Sequence, residues 1–392
     1  MHAQAPASAG AFFYTADAVR VLIVASRFPW PPVTGDRLRT TLWLEALAGD
    51  DVTLVSPPGA APAGVPRFTH LPAGRSLGQL VGAAARVLAR GLPATALLAA
   101  GRDWSGALAG AGAQFDVAVV VLARTDPWVF PHLRARRTVL DAIDSLAVNL
   151  AERARHARGV ASRLWRLESA RTARLESDAA RRYDRVVVVA GSESGVFGEV
   201  ATVVPIGVEL RPESQGEREF DVGFTGRLAY FANRDAAGWL LDGIWPRVRA
   251  AVPTATLLLA GADAPAFVRR RHGRDGITVV SPMADAASLL RRVRVALLPL
   301  RFGTGQSLKA LEAAEASCAI VSTPAGVRGL SVLLPHALTA GDAERLAAAV
   351  VGLLGDEPRR AALGAAARAA VGRAYPRGAT LAGLAAIARG VD

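Results

Sequence analysis

Residues 301–313, RFGTGQSLKALEA, bring together a glycine-containing turn, the only lysine of the chain and a glutamate three residues beyond it. Lys and Arg together number 46 in 392 residues, so every other basic side chain is an arginine. A glycine turn that feeds a helix N-terminus presents free backbone N–H groups and the positive end of a dipole, a combination that favours a phosphate. Gly303 and Gly305 let the backbone come close, and Gln306 or Ser307 stands near the N-cap. Lys309, one turn in, can deliver a compact charge to the same anion. Glu312 projects from the same face as Lys309 and is an acceptor suited to a pair of sugar hydroxyls. Taken alone, the stretch also fits a plain amphipathic helix with a surface Lys–Glu pair.

The elements that would hold this stretch alternate along the chain. Apolar runs at 19–26, 51–57, 116–122, 137–141 and 184–191 read as buried strands, with helix-like segments such as 36–49 between them. The polar stretch 209–219 interrupts the pattern and reads as a linker. Runs at 220–226, 254–261, 276–282, 293–300 and 318–323 then resume it. Continuous apolar strands alternating with helices predict parallel sheets covered on both faces. The expectation is an α/β protein of two Rossmann-like domains, 19–208 and 220–374, facing a central cleft where ligands bind. Residues 1–18 read as a frayed tail, and 375–392 as a helix that could cross back to the first domain.

Composition narrows the setting. At 392 residues, 51% of them hydrophobic and 20% charged, the chain is a packed globular protein of two domains. Its net charge of +12 would suit nucleic acid, an anionic membrane or a phosphorylated substrate. The arginines are spread along the whole chain without zinc-ligand spacing or a basic tail, so no nucleic-acid partner is expected. The single Cys318 cannot form a disulfide within the chain and fits a reducing compartment. With no apparent signal or membrane-spanning run, a cytoplasmic location is expected, with peripheral contact at an anionic inner membrane face as part of the same expectation. The Arg-rich run 145–183 is helix-compatible, with Leu164, Leu167, Ala170 and Leu175 near helical spacing on one packing face. A solvated helix laced with Glu–Arg pairs is preferred there over contact with an anionic membrane.

With these motifs in hand, the chain resembles the GT-B-fold glycosyltransferases of the family 4 type (group 1), in the pattern of exopolysaccharide-associated bacterial sugar transferases. The resemblance is carried by VVPIGVEL (203–210), GFTGRLAYFANRDAAGWL (223–240), LLLAGADAP (257–265) and the run 277–330, in family order. It is looser in RFPWPPVTGDRLRT (27–40), VLDAIDSLAVN (139–149) and 164–194. It implies transfer of a sugar from a nucleotide-sugar donor to a glycan, lipid-linked or small-molecule acceptor, with retention, generally without a metal and with no further cofactor. By position, Arg227 and Lys309 would neutralise the departing diphosphate, and Glu312 would hold the ribose. Gly303, Thr304, Gly305, Gln306 and Ser307 would approach the diphosphate and sugar, and backbone around Pro282 and Met283 would border the base. Many family members place a second glutamate eight residues before the first; here that position is Thr304, which leaves the donor sugar open. The fold would also serve a nucleotide-sugar epimerase, and the charge a non-catalytic binder of sugar nucleotides or nucleic acid.

The remaining candidates lie on the first domain. Gly35 and Arg37 sit where a loop could meet phosphate or acceptor, although Gly35-Asp36 would serve equally as a turn and cap. Asp126, Asp141 and Asp144 follow strands, at the ends that face the cleft in such sheets. Asp144 reads preferentially as the cap of the next helix. No His, Cys or carboxylate spacing implies a metal.

Overall fold

The computed structural model describes residues 18–112, 114–212, 216–283 and 285–391, so most of the N-terminal tail and part of the linker fall outside it. Among the described residues the strands form two sheets. The first takes β1 (Arg20–Ala25), β2 (Asp51–Ser56), β3 (Thr69–Pro72), β4 (Phe115–Val121), β5 (Ala135–Ile143), β6 (Arg185–Val188) and β7 (Ala201–Val203), in the order β3-β2-β1-β4-β5-β6-β7. The second takes β8 (Phe220–Thr225), β9 (Leu257–Ala260), β10 (Ile277–Val280), β11 (Val293–Leu298), β12 (Ala319–Ser322) and β13 (Ala337–Thr339), in the order β10-β9-β8-β11-β12-β13. All pairings are parallel, as the apolar, doubly buried strands require.

Strand order reverses between β1 and β4 in one sheet and between β8 and β11 in the other. Loops diverge at such a switch point and leave a crevice beyond the strand ends. The two crevices face each other. Several contacts hold the domains together beside them. The Arg153 guanidinium lies over Trp165 at 3.6 Å and over Phe231 of the second domain at 4.5 Å, and Phe231 stacks on Phe302 at 5.3 Å. The last helix, Arg377–Arg389, packs on helix Gly35–Ala46 of the first domain, with Arg377 bound to Glu45 and Arg389 to Asp50.

The long helix Gly159–Ala180 differs from the expected packing. Leu164, Leu167 and Ala170 face solvent, while Ser162, Thr172, Leu175, Glu176 and Ala179 are buried. Polar anchors set its rotation: Glu168 accepts from Ala94 N, Ser169 donates to Ala147 O, and Glu176 accepts from Ser145 and from the amides of Leu146 and Ala147. A hydropathy pattern cannot register an inner stripe held by carboxylates. No described helix is long and apolar enough to cross a membrane.

Candidate active site

A cavity of about 380 Å³ lies between the domains, where the strand ends converge. The first domain lines it with Arg27, Gly35, Asp36, Arg124 and Asp144, and the second with the segment Gly303–Lys309 after β11. Gly305 has a φ of +65°, and a Cβ there would stand 3.0 Å from Asp144 Cβ, so only glycine fits this crossing. Ser307 is the N-cap of helix Leu308–Glu315, its Oγ accepting from Ala310 N at 3.4 Å.

The amides of the glycine turn are already engaged. Gly303 N donates to Glu152 Oε2 at 2.8 Å and Gly305 N to Glu193 Oε1 at 3.1 Å, both carboxylates coming from the first domain. Glu152 also pairs with Arg328, and Glu193 takes Ser145 N at 3.0 Å. Carboxylate oxygens thus stand at donors of the kind an anionic ligand uses. The Gln306 side chain serves a different end: its Oε1 accepts from Ile206 N at 2.8 Å and its Nε2 donates to Ile206 O at 3.0 Å, tying the domains together.

Lys309 lines the cavity and lies against Gly226, the residue after β8. Burial lowers its pKa, and the neighbouring Glu312 carboxylate opposes that shift. Glu312 is pushed up to about 7, chiefly by burial, with Lys309 pulling the other way. Glu312 does not line the cavity, and neither does Met283, which packs against the core of the second domain. Arg227 also stays outside: its half-exposed guanidinium pairs with Asp263 at 2.8 Å. The expected donor set therefore divides. Gly303, Thr304, Gly305, Gln306, Ser307 and Lys309 meet in one cavity, and Arg227, Met283 and Glu312 lie around it.

On the first domain Gly35 lines the cavity, whereas Arg37 turns back to Pro31 O at 3.4 Å. Asp141 is part of β5 and fully buried, accepting from Arg39 Nε and Trp43 Nε1, each at 2.6 Å. It is a framework carboxylate behind the sheet. Asp126 is buried against Arg182 and Tyr183 and does not line the cavity, and burial lifts it to about 6. Neither reaches the cleft, because each finds an arginine within its own domain first.

Asp144 does reach it. The cap of helix Leu146–His156 is Ser145, whose Oγ accepts from Val148 N, and this leaves the Asp144 side chain free of that duty. A register shift in β5 and a left-handed Ile143 (φ +67°) turn the chain just before it. A β-branched residue rarely adopts that conformation. The turn sends Asp141 and Asp144 to opposite sides of the sheet end. Thr304 Oγ1 donates to Asp144 Oδ2 at 2.6 Å, Asn149 Nδ2 donates to Thr304 Oγ1 at 2.9 Å, and the same amide lies 3.3 Å from the Tyr230 hydroxyl. Burial raises the Asp144 carboxyl to about 6.

Nearby, Asp36 stands 3.4 Å from Arg27 and 3.8 Å from Arg124. Burial, and after it repulsion from Arg27, lowers the Arg124 pKa. Sequence reading missed Arg27, Arg124, Asn149, Glu152, Glu193 and Tyr230. Their only signal was position after a strand, or none. No group of three or more His, Cys, Asp or Glu side chains suited to a metal ion occurs among the described residues.

Two all-parallel sheets facing across such a cavity have known counterparts. HepE from Anabaena, solved with UDP and glucose, superimposes with a TM-score of 0.64 at 15% identity, covering 95% of this chain and 99% of that one. The sucrose-phosphate synthase of Thermosynechococcus elongatus gives 0.72 at 15% identity over 95% and 99%. WaaG, a glycosyltransferase involved in lipopolysaccharide biosynthesis, gives 0.66 at 16% identity over 95% and 100%. The fold is GT-B. Within it, residues 219–356 match the family model described as Glycosyl transferases group 1, a span that includes β8 to β13 and the whole Gly303–Glu312 motif. No curated protein matches the chain.

Proposed function

We propose that this GT-B protein is a glycosyltransferase of the hexosyltransferase type. It moves a sugar from a nucleotide-sugar donor to a hydroxyl of a glycan, lipid-linked sugar or small molecule, with retention and without a metal or other cofactor. The observation that carries the reading is the Lys309 ammonium against Gly226, at the start of a helix whose glycine turn opens into the interdomain cavity. The match of 219–356 to a glycosyl transferase model supports it, and the UDP in the HepE structure makes uridine donors the first to try.

In this reading the bond between the anomeric carbon and the diphosphate oxygen breaks, and its electron pair leaves with the diphosphate. The acceptor oxygen bonds to the same face of the anomeric carbon, and its proton passes to the departing phosphate oxygen. The protein supplies fixed positive potential where that charge develops, from Lys309 and the helix N-terminus, in the cavity between the domains. Arg227 joins them by leaving its exposed pairing with Asp263, a weak tie in water. Glu312 accepts the ribose hydroxyls, and backbone at Met283 borders the base. Incubation with a panel of nucleotide sugars, following nucleoside diphosphate release and sugar transfer, tests the whole reading. Release without an acceptor product would favour an epimerase, and binding without release a sugar-nucleotide binder.

The same reading places the protein on an anionic membrane surface. Of the 15 exposed large hydrophobic side chains among the described residues, eight lie on helix Leu77–Ala89, the turn Ala94–Leu98 and helix Gly159–Ala180. Leu77, Val81 and Leu88 are 84%, 73% and 80% exposed and share one helix face by their spacing. Residues 52–102 contain no Asp or Glu and five arginines, 67, 75, 86, 90 and 102. An apolar ridge in an acid-free, arginine-bearing stretch complements anionic lipid. The Arg-rich run 145–183, which reads preferentially from sequence as a solvated helix, adjoins this ridge: Ala94 N bonds to Glu168, and Val160, Leu164 and Leu167 are exposed on it.

A further inference from the structure

The cavity holds a polar cluster with no part in countering a diphosphate. Asp144, Thr304, Asn149 and Tyr230 are linked by hydrogen bonds across the cleft, two residues from each domain, and all four line the cavity. A carboxylate repels phosphate, so this end of the cavity suits a neutral group rich in hydroxyls. We infer that Asp144 is the carboxylate that grips the transferred sugar, accepting hydrogen bonds from its hydroxyls, with Thr304 and Asn149 as the groups that position it. This inference rests on the proposed function and specifies one residue of the donor site.

Three observations converge on it. The left-handed Ile143 and the register shift in β5 aim the side chain into the cavity at a cost in backbone strain. The helix that follows is capped by Ser145 and by Glu176, so Asp144 has no local structural task. The hydroxyl that meets it belongs to Thr304, on the turn that leads into the helix carrying Lys309, so under the proposed function a sugar attached to a diphosphate at Lys309 passes beside it. Because Asp144 comes from the first domain and Lys309 from the second, the sugar grip exists only when the domains are closed. Closure and sugar recognition are then a single event, which keeps the reactive donor out of water until the sugar is held.

Calorimetry on the full chain reads this directly as the gain in affinity of a nucleotide sugar over its nucleoside diphosphate. The probes are UDP, GDP, ADP and TDP and their glucose conjugates. For the pair that binds the wild type, Asp144→Asn is expected to keep nucleoside diphosphate affinity within about twofold. It should lose most of the sugar's gain, a fall of roughly tenfold to a hundredfold for a charged hydrogen-bond acceptor. Burial raises the carboxyl to about 6, with the Thr304 hydroxyl and Arg124 opposing and Glu193 adding repulsion, so the wild type's gain for the sugar, read against the nucleoside diphosphate at each pH, should fade as pH drops below about 6. The titration of Glu312, which acts on the ribose of both ligands, cancels in that comparison. A carboxylate returned at the neighbouring position, in Asp144→Asn with Thr304→Glu, should restore part of the gain. Equal weakening of both ligands by Asp144→Asn would make Asp144 a domain clasp only and overturn the inference. Unchanged affinities would do the same. Absence of any nucleoside diphosphate binding to the wild type would instead remove the proposed function, and this inference with it.

Discussion

Lys309 fills the space that a side chain on Gly226 would need: a Cβ at position 226 would stand 2.6 Å from its Cε and 2.9 Å from its Nζ. Real Cβ atoms do not come that close, and the φ of +139° at Gly226 disfavours any other residue. The lysine stem is slim enough to pass; a planar guanidinium is broader. Lys309→Arg is therefore expected to fold, as thermal melts would report, and to lose turnover. Lys309→Ala should lose more, on the order of a hundredfold or above, because the countercharge acts as the diphosphate leaves. A fully active Lys309→Arg enzyme would make the lone lysine a compositional accident.

Gly226→Ala examines the other side of the same contact. The methyl must displace the lysine tip, so turnover should fall with Lys309 still present. Pairing it with Lys309→Ala should cost less than the sum of the two single losses, since both remove one contact, while the strain of a side chain at position 226 remains. Additive losses in a double-mutant cycle would separate the two residues.

Glu312 gives a pH prediction whose sign is fixed. Its folded pKa is raised to about 7, above the usual value near 4.5, so the folded state binds the proton more tightly. Its contribution is intact below about 4.5 and is lost as pH rises through about 7. Glu312→Gln lacks this titration, so its stability relative to the wild type should climb between pH 5 and 8 in chemical denaturation. Parallel curves would mean that Glu312 titrates normally. In binding, the same variant should weaken nucleotide affinity by about 1.5–3 kcal/mol if the carboxylate holds the ribose.

Much of this architecture was legible from residues. Ten of the strands were announced by apolar runs such as 293–300, because a strand buried on both faces has nowhere to put a polar side chain. β3, β7 and β13 were not: they are three or four residues long and sit at sheet edges, where THLP, ATV and ALT carry no such run. In the site, the Gly303–Lys309 turn could be read because its chemistry is contiguous in sequence. Asp144 could not be ranked above Asp141 or Asp126, since all three sit at or beyond apolar strands. What separates them is which partner is nearest in space, Thr304 across the cleft or Arg39 and Arg182 within the domain.

Glu193 supplies a prediction of the opposite sign. Its carboxylate accepts from Gly305 N and Ser145 N, and it adds like-charge repulsion to the burial that raises the pKa of Asp144. An arriving diphosphate meets that negative charge. Glu193→Gln removes the charge and keeps one acceptor oxygen, which serves only one of the two amides and releases the other, so nucleoside diphosphate affinity should rise severalfold at low salt. The gain should shrink as salt is added. Weaker binding in this variant would show that Glu193 shapes the turn for the ligand and does not compete with it.

The membrane reading has its own discriminating measurement. Leu77 and Val81 lie one turn apart on the exposed face of helix Leu77–Ala89, while Ala83 and Val87 hold the opposite face to the domain. Leu77→Glu with Val81→Glu should therefore leave the fold intact, because neither side chain is in the core. Immersing the two in a bilayer is worth ~3 kcal/mol or more, so co-sedimentation with phosphatidylglycerol vesicles should fall by roughly a hundredfold. The wild type should bind phosphatidylcholine vesicles weakly, since arginine attraction to anionic lipid is then missing. Replacing Arg86 and Arg90 by Gln should reduce binding to the anionic vesicles and make what remains insensitive to salt. If the wild type binds neither vesicle, the membrane reading falls. If it binds and the double glutamate variant binds equally, the contact lies elsewhere, and the exposed Leu164 and Leu167 become the next side chains to change.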